Sequence, residues 1–154
     1  ASHAFLNSIS IPEENIHRMK GEADPAIESV RYAKEVREHR ALRNSSDQFF
    51  DWVFMGLGPD GHTASLFPGQ EKLLQSPNLC EVAQHPETDQ KRLTLTSAAI
   101  QSSACVTYHV IGEKKAELVS ALVEESPQSK NYPASHLPGE WYVDMAAASR
   151  LKPS

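Results

Sequence analysis

An aspartate and a histidine lie two residues apart in a glycine-rich stretch, and together they could carry out proton transfer. Asp60 and His62 belong to DWVFMGLGPDGHTASLFPG, residues 51–69. An imidazole exchanges protons near neutral pH, and a neighbouring carboxylate can orient it or hold its charge. Gly58 and Gly61 allow positive φ and a close backbone approach to a ligand. The pattern predicts His62 and Asp60 as catalytic residues, with Gly58 and Gly61 against the substrate.

Three other interpretations of the same stretch stay open. Residues 56–61 fit the dinucleotide fingerprint G-x-G-x-x-G, but that fingerprint needs a long helix, and Pro68 ends any helix soon after Gly61. The phosphate-loop pattern is nearly met as well, with His62 in place of the lysine that would reach the phosphates. The third interpretation is a structural turn that carries a surface histidine.

The elements around this loop indicate how it is positioned. Residues 49–55, FFDWVFM, are a compact apolar run that predicts a buried strand of a parallel sheet. In such sheets, ligands bind beyond the carboxyl ends of the strands. Apolar spacing and turn residues elsewhere predict helices at 3–9, 25–43, 62–67, 97–102, 113–124 and 145–150, and strands at 15–19, 79–83, 92–96, 105–111 and 141–143. We therefore expect one α/β domain over 1–154, an open, mostly parallel sheet with helices on both faces.

The composition narrows the function classes. The 154 residues carry a net charge of −5, which argues against a general nucleic-acid-binding protein because such proteins present a basic face. No apolar stretch reaches the roughly 18 residues of a membrane helix, and residues 1–15 lack the features of a signal peptide. The two cysteines, Cys80 and Cys105, form no disulfide framework, so we expect both to be reduced and the location to be cytoplasmic.

Several motifs together resemble one known family. The stretch GPDGHTASLFPG, residues 58–69, resembles the signature of the 6-phosphogluconolactonases of the pentose phosphate pathway. KRLTLT (91–96), GEKKA (112–116), EWYVD with its alanines (140–148) and IPEENIHR (11–18) resemble further family segments. The resemblance implies a Rossmann-like, NagB-type fold and hydrolysis of 6-phospho-D-glucono-1,5-lactone. It also implies that the N-terminal strands and phosphate loop of the family are absent here, so 1–154 would be the C-terminal two-thirds of a lactonase domain.

The resemblance also implies a role for each candidate site residue. His62 would take a proton from water and return it to the departing ring oxygen, with Asp60 orienting the ring. Arg92 and Lys115 would hold the 6-phosphate of the substrate. We expect no cofactor and no metal, because Asp60 and His62 are too few ligands for zinc and the other histidines show no metal-ligand spacing. The oligomeric state is left open.

Two rival functions remain. A related family of glucosamine-6-phosphate deaminases shares Asp-Gly-His but places a glutamate five residues after the histidine, where this chain has Phe67. Phenylalanine cannot relay protons, which disfavours that reaction. The second rival is a non-catalytic sugar-phosphate-binding protein, because the phosphate loop of the family is absent from the sequence.

Overall fold

The computed structural model describes residues 6–42 and 48–152 of the chain. Four helices and five strands make up its regular structure. The helices are α1 (Pro25–Leu42), α2 (Glu71–Leu74), α3 (Ser97–Gln101) and α4 (Ala116–Val123). The strands are β1 (Trp52–Met55), β2 (Cys80–Gln84), β3 (Lys91–Leu95), β4 (Cys105–Val110) and β5 (Glu140–Val143). Single 3₁₀ turns lie at Leu6–Ser8, Glu13–Asn15, Glu113–Lys115, Pro127–Asn131 and Pro133–His136.

A three-stranded parallel sheet forms the centre of the fold. Its strand order is β1-β4-β5, and both neighbouring pairs run parallel. Parallel neighbours need a crossover connection, and the β4–β5 connection includes α4. The mostly parallel α/β fold class predicted from the sequence is confirmed. Because the three strands are parallel, their carboxyl ends lie at one edge, and the Asp60–His62 loop begins there.

The two faces of this sheet differ in burial. Side chains that alternate along the strands, such as Val53, Tyr108 and Val110, pack against Val119 and Leu122 of α4 in the main core. The opposite face carries exposed aromatic rings, which contact one another in sequence along the sheet: Trp52 on Phe54 at 4.8 Å, Phe54 on His109 at 5.4 Å, and His109 on Tyr142 at 5.3 Å.

A second unit consists of the β2–β3 hairpin and α1. The strands predicted at 79–83 and 92–96 exist, but they pair antiparallel with each other in their own two-stranded sheet. Ala33 and Val36 of α1 pack with Leu79, Cys80 and Ala99 in a smaller core. Among the residues that the structure describes, both cysteines are free. The hairpin contacts the loop after β1, because the Thr94 hydroxyl accepts a hydrogen bond from the Ser65 N–H.

The strand predicted at 15–19 is wrong. Glu13–Asn15 is a 3₁₀ turn that ends at an extended Ile16, and residues 16–20 form no strand within the part of the chain that the structure describes. This segment is held by side chains of α1 instead. Glu28 accepts a hydrogen bond from the Lys20 backbone N–H at 2.7 Å, and Arg31 donates one to the Arg18 carbonyl at 3.2 Å. The segment's polar groups are therefore satisfied by a helix and not by a sheet.

Two predicted helical pieces are turns. Residues 62–67 cannot continue a right-handed helix because Ala64 has φ of +52°. Thr63 and Leu66 instead exchange backbone hydrogen bonds of 3.3 and 2.9 Å across a tight turn. Residues 145–150 form successive turns, in which the Asp144 carboxylate accepts from the Ala147 N–H at 2.7 Å. Of the helix predicted at 3–9, residues 3–5 lie outside the described residues, and 6–8 form a 3₁₀ turn.

The described residues contain no helix that is both long enough and apolar enough to cross a membrane.

Candidate active site

The loop that follows β1 is shaped by hydrogen bonds within itself. The Gly58 N–H donates to the His62 carbonyl at 2.8 Å, and the Gly61 N–H donates to the Gly58 carbonyl at 3.2 Å. Both N–H groups are therefore engaged, so these two glycines could donate to a substrate only if the loop opened. Their predicted contact with substrate stays a prediction, whereas their role in the shape of the loop is visible.

Glycine is required at both positions. A Cβ at Gly58 would lie 2.1 Å from Nδ1 of His62, so any side chain there would displace the ring. Gly61 has φ of +83°, and a Cβ there would lie 2.5 Å from the Tyr132 ring. The first glycine makes room for the imidazole, and the second permits the left-handed turn that presents it.

Asp60 and His62, the two predicted catalytic residues, form a direct pair. Nδ1 of His62 lies 2.5 Å from Oδ1 of Asp60, and the His62 backbone N–H donates to the same oxygen at 3.2 Å. The imidazole side chain is 23% exposed and the carboxylate 44%. The ring is therefore at the surface of the loop and accessible to a ligand.

The charge state of Asp60 fixes the orientation of the pair. Partial burial favours the neutral carboxyl group, but the hydrogen bonds from the His62 ring and backbone outweigh it and lower the pKa of Asp60 below its ordinary value. An ionised carboxylate can only accept, so the Nδ1 proton of His62 points to Asp60. Nε2 is then the ring nitrogen that remains to accept a proton from a ligand.

Two threonines support the loop from beneath. The hydroxyl of Thr63, which is 1% exposed, donates to the Gly56 carbonyl at 2.8 Å and closes the loop on itself. The hydroxyl of Thr94 on β3 accepts from the Ser65 N–H at 3.1 Å, and it joins the loop to the hairpin unit. These contacts fix the direction of the segment that carries the imidazole.

Phe67 connects His62 to the predicted phosphate ligand Arg92. The Phe67 ring is 1% exposed and lies 4.8 Å from the His62 ring and 5.0 Å from the His85 ring, centroid to centroid. The Arg92 guanidinium lies 5.8 Å from the centre of the Phe67 ring. Arg92 also lines a cavity of about 340 Å³ together with Lys91 and Ser65.

Lys115 reaches the loop directly. It follows β4, and because β4 is the parallel neighbour of β1, the two carboxyl ends bring residues 58 positions apart into contact. The Lys115 ammonium donates to the Leu57 carbonyl. Burial lowers the pKa of Lys115, and the negative charge of Asp60 opposes that shift. The turn before it is held by Asp144, whose carboxylate accepts from the Gly112 N–H at 3.0 Å.

The predicted site residues are thus brought together to different degrees. Asp60, His62 and Lys115 share one loop surface, with Gly58 and Gly61 in its backbone. Arg92 is connected to His62 only through the Phe67 ring.

Three supporting residues were not singled out from the sequence: Thr63, Thr94 and Tyr132. The two threonines lie inside the motifs GPDGHTASLFPG and KRLTLT, and this position in the motifs could have indicated their role. Tyr132 lies between the 3₁₀ turns Pro127–Asn131 and Pro133–His136, and no sequence pattern predicted that a Cβ at Gly61 would meet its ring.

The chain resembles known proteins over most of its length. Residues 1–143 match the family model described as glucosamine-6-phosphate isomerases/6-phosphogluconolactonase. A 6-phosphogluconolactonase from Aggregatibacter actinomycetemcomitans is 39% identical over 152 residues, which are 96% of this chain and 63% of that protein. A solved structure named devB protein superposes with a TM-score of 0.83 at 36% identity, covering 96% of this chain and 63% of that one. The 6-phosphogluconolactonase structure from Thermotoga maritima gives a TM-score of 0.76 at 25% identity, covering 92% and 62%. The chain therefore spans less than two-thirds of the length of these relatives.

Proposed function

Because the chain belongs to the glucosamine-6-phosphate isomerase/6-phosphogluconolactonase family, we propose that the protein carrying it hydrolyses 6-phospho-D-glucono-1,5-lactone to 6-phosphogluconate. The observation that carries this proposal is the His62–Asp60 pair, with a partly exposed imidazole at the carboxyl edge of a parallel sheet. Relatives named as 6-phosphogluconolactonases support the choice of reaction.

The pair suits the two proton transfers of lactone hydrolysis. Nε2 of His62 accepts a proton from a water molecule as its oxygen attacks C1 of the lactone. The carboxylate of Asp60 stabilises the imidazolium ion through Nδ1, as it does in related relays. When the C1–O5 bond breaks, the imidazolium returns the proton to the ring oxygen, and the open-chain acid is the product. A transfer of this kind contributes roughly 10²–10⁴-fold to the rate.

The cations near the loop suit the charge of the substrate. We assign the 6-phosphate to Arg92, since it lines a cavity with Lys91 and its planar guanidinium can hold two phosphate oxygens. Lys115 interacts electrostatically with Asp60 and supplies a second positive charge at the loop. In this arrangement the phosphate lies beyond Phe67, away from the reacting carbon. A cytoplasmic location, predicted from the reduced cysteines, accords with this reaction.

Phe67 disfavours the deaminase alternative. Deamination of an amino sugar phosphate needs an acid–base group at this position, and Phe67 offers an apolar ring packed against the imidazoles of His62 and His85. The surroundings of His62 on this side are apolar. Apolar surroundings suit proton transfer by His62 alone better than transfer by His62 together with a second acid–base residue.

The test is a rate measurement with two substrates. Lactone opening is followed by coupling 6-phosphogluconate formation to its oxidation, after subtraction of spontaneous hydrolysis, and ammonia release is measured with glucosamine 6-phosphate. We expect the protein to accelerate lactone opening and to release no ammonia. Ammonia release would favour the deaminase, and binding of 6-phosphogluconate without turnover would favour a non-catalytic sugar-phosphate-binding protein. Either result would overturn the proposal.

A further inference from the structure

A second cluster of ionisable side chains lies on α1, away from the candidate active site. Glu35 and His39 are four residues apart and so share one face of the helix. The extended segment before α1 places His17 against them. One ligand atom from each of the three side chains lies within 4.8 Å of the others. The spacing of the histidines in the sequence predicted no metal site, and the fold brings these two together with a carboxylate.

Among the described residues, one histidine of the cluster has a ring contact but no hydrogen bond. Nδ1 of His17 lies 2.8 Å from Oε1 of Glu35, and the rings of His17 and His39 lie 4.0 Å apart, tilted by 54°. Within residues 6–42 and 48–152, His39 makes this ring contact and no hydrogen bond or ion pair. Two imidazoles and a carboxylate therefore converge. The His17–Glu35 hydrogen bond does not account for the position of His39 beside them.

The carboxylate of Glu35 is held from behind. Its other oxygen, Oε2, accepts a hydrogen bond from the Arg31 guanidinium. Arg31 is itself fixed by Glu28, with contacts of 2.6 Å from both Nε and Nη2. A ligating carboxylate that is hydrogen-bonded by a second group is typical of metal sites, because the second group fixes the direction of the free oxygen. Oε1 is thereby directed to the two imidazoles.

The cluster borders an open space. His17, Glu35 and His39 line a cavity of about 560 Å³, and Asn15 adds an amide to its wall. Such a cavity leaves room for a fourth ligand, either water or the Asn15 side chain. The described residues that line it do not include those of the loop at 56–62, so this is a separate site.

We propose that His17, Glu35 and His39 bind a divalent transition-metal ion, with Zn²⁺ as the expected ion. Two histidines and one glutamate are a known zinc ligand set that keeps an open position. Zinc–ligand distances of about 2.0–2.2 Å place tetrahedral ligand atoms roughly 3.3–3.6 Å apart. The 2.8 Å His17–Glu35 contact would open slightly, and the exposed His39 ring would rotate inward. The bound ion would link the segment at 16–20 to α1.

Metal binding to the intact 154-residue chain tests the proposal. After treatment with a chelator, the chain is titrated with ZnCl₂ by calorimetry and with CoCl₂ by visible absorption, since tetrahedral Co²⁺ reports its ligand geometry. We expect one ion per chain and a rise in Tm on addition of Zn²⁺, because an ion that binds only the folded state stabilises it. His39→Ala should weaken Zn²⁺ binding by at least roughly tenfold, the scale seen even when an outer partner of a ligand is lost, and should reduce the rise in Tm at the same Zn²⁺ concentration.

Two control variants separate this site from others. His136→Ala removes an exposed histidine on a different 3₁₀ turn, and His62→Ala removes the imidazole of the candidate active site. Both should bind Zn²⁺ as the parent chain does. Absence of stoichiometric binding, binding unchanged in His39→Ala, or binding lost in His62→Ala would each overturn the proposal. None of these readouts depends on lactone turnover, so failure here leaves the proposed hydrolysis untouched.

Discussion

Among the described residues, two imidazole–carboxylate pairs occur, one in the loop after β1 and one between α1 and the segment before it. His62 and Asp60 meet at 2.5 Å, and His17 and Glu35 meet at 2.8 Å. The first pair is built from neighbours two residues apart on a glycine turn. The second joins residues 18 apart and exists only because the extended segment packs on a helix.

The electrostatic surroundings of the two carboxylates differ more than the distances do. Arg31 forms an ion pair with Glu35 and a second one with Glu28, so it compensates the negative charge of Glu35 in part. Asp60 has its hydrogen bonds from His62 and only a longer-range attraction from Lys115. A carboxylate that has the imidazole as its main partner can stabilise a transient imidazolium ion with its negative charge. A carboxylate that a guanidinium already holds in place suits a static link or a metal ligand.

The largest expected effect separates the two histidines. His62→Ala should lower the rate of enzymatic lactone opening roughly 10²–10⁴-fold, since it removes the proton carrier. His17→Ala should leave the turnover number near that of the parent protein. Steady-state kinetics and the Tm of each variant check this, and equal losses in the two variants would show that the pairs do not differ in role.

The next effect concerns the anchor of the second pair. Glu28 is 2% exposed and holds Arg31 as well as the Lys20 N–H. Glu28→Gln should lower the free energy of unfolding by about 2–3 kcal/mol, the scale of hydrogen bonds to a charged group. Urea unfolding measures this. Glu22→Gln, which breaks an exposed pair with Arg18, is the control and should change stability little.

The ion pair between Glu28 and Arg31 makes the free energy of unfolding depend on pH. The hydrogen bonds from Arg31 outweigh the effect of burial and lower the pKa of Glu28 to about 2 from an ordinary 4.5. A lowered pKa in the folded state means that the stabilisation is complete above about pH 4.5 and is lost as the pH falls towards 2. The Glu28→Gln variant should therefore show a flatter decline in stability across that window. An unchanged slope would contradict the assignment.

A smaller effect is expected at the carboxylate of the first pair. Asp60→Asn keeps the size of the side chain and removes the charge that stabilises the imidazolium ion. We expect the turnover number to fall roughly 10–10²-fold, the scale of the loss when a carboxylate that orients a metal-bound histidine is replaced. Glu35→Gln is the matched change in the second pair and should leave turnover unchanged. A similar loss of turnover in both variants would show that the two carboxylates do not differ in role.

The smallest effect tests the cation beside the loop. Lys115→Met keeps the length of the side chain and removes its charge. We expect KM for the lactone to rise roughly tenfold, the lower end for a hydrogen bond to a charged group, while the turnover number changes less. A fall in the turnover number with unchanged KM would instead assign Lys115 to the reacting end of the substrate.

Sequence patterns predicted local features well and contacts between distant segments poorly. The strand at β1, the glycine loop and the helix that begins after Gly112 are encoded by short runs of residues, and all three are present. The strand predicted at 15–19 failed because a short run of residues does not show which groups will form hydrogen bonds with its backbone, and here side chains of α1 do so. The helical turns predicted at 62–67 failed because the left-handed Ala64 reverses the chain.

The sequence by itself determined the His62–Asp60 pair, because two residues on one glycine turn meet wherever the turn forms. Only the tertiary structure decided that Lys115 reaches the Leu57 carbonyl, since that contact requires β1 and β4 to be parallel neighbours. It also decided that His17, Glu35 and His39 converge, since nothing in their spacing brings an extended segment onto α1. Turn geometry acts over a few residues and can be recognised in a motif, whereas packing acts across the whole chain and can be known only once the fold is known.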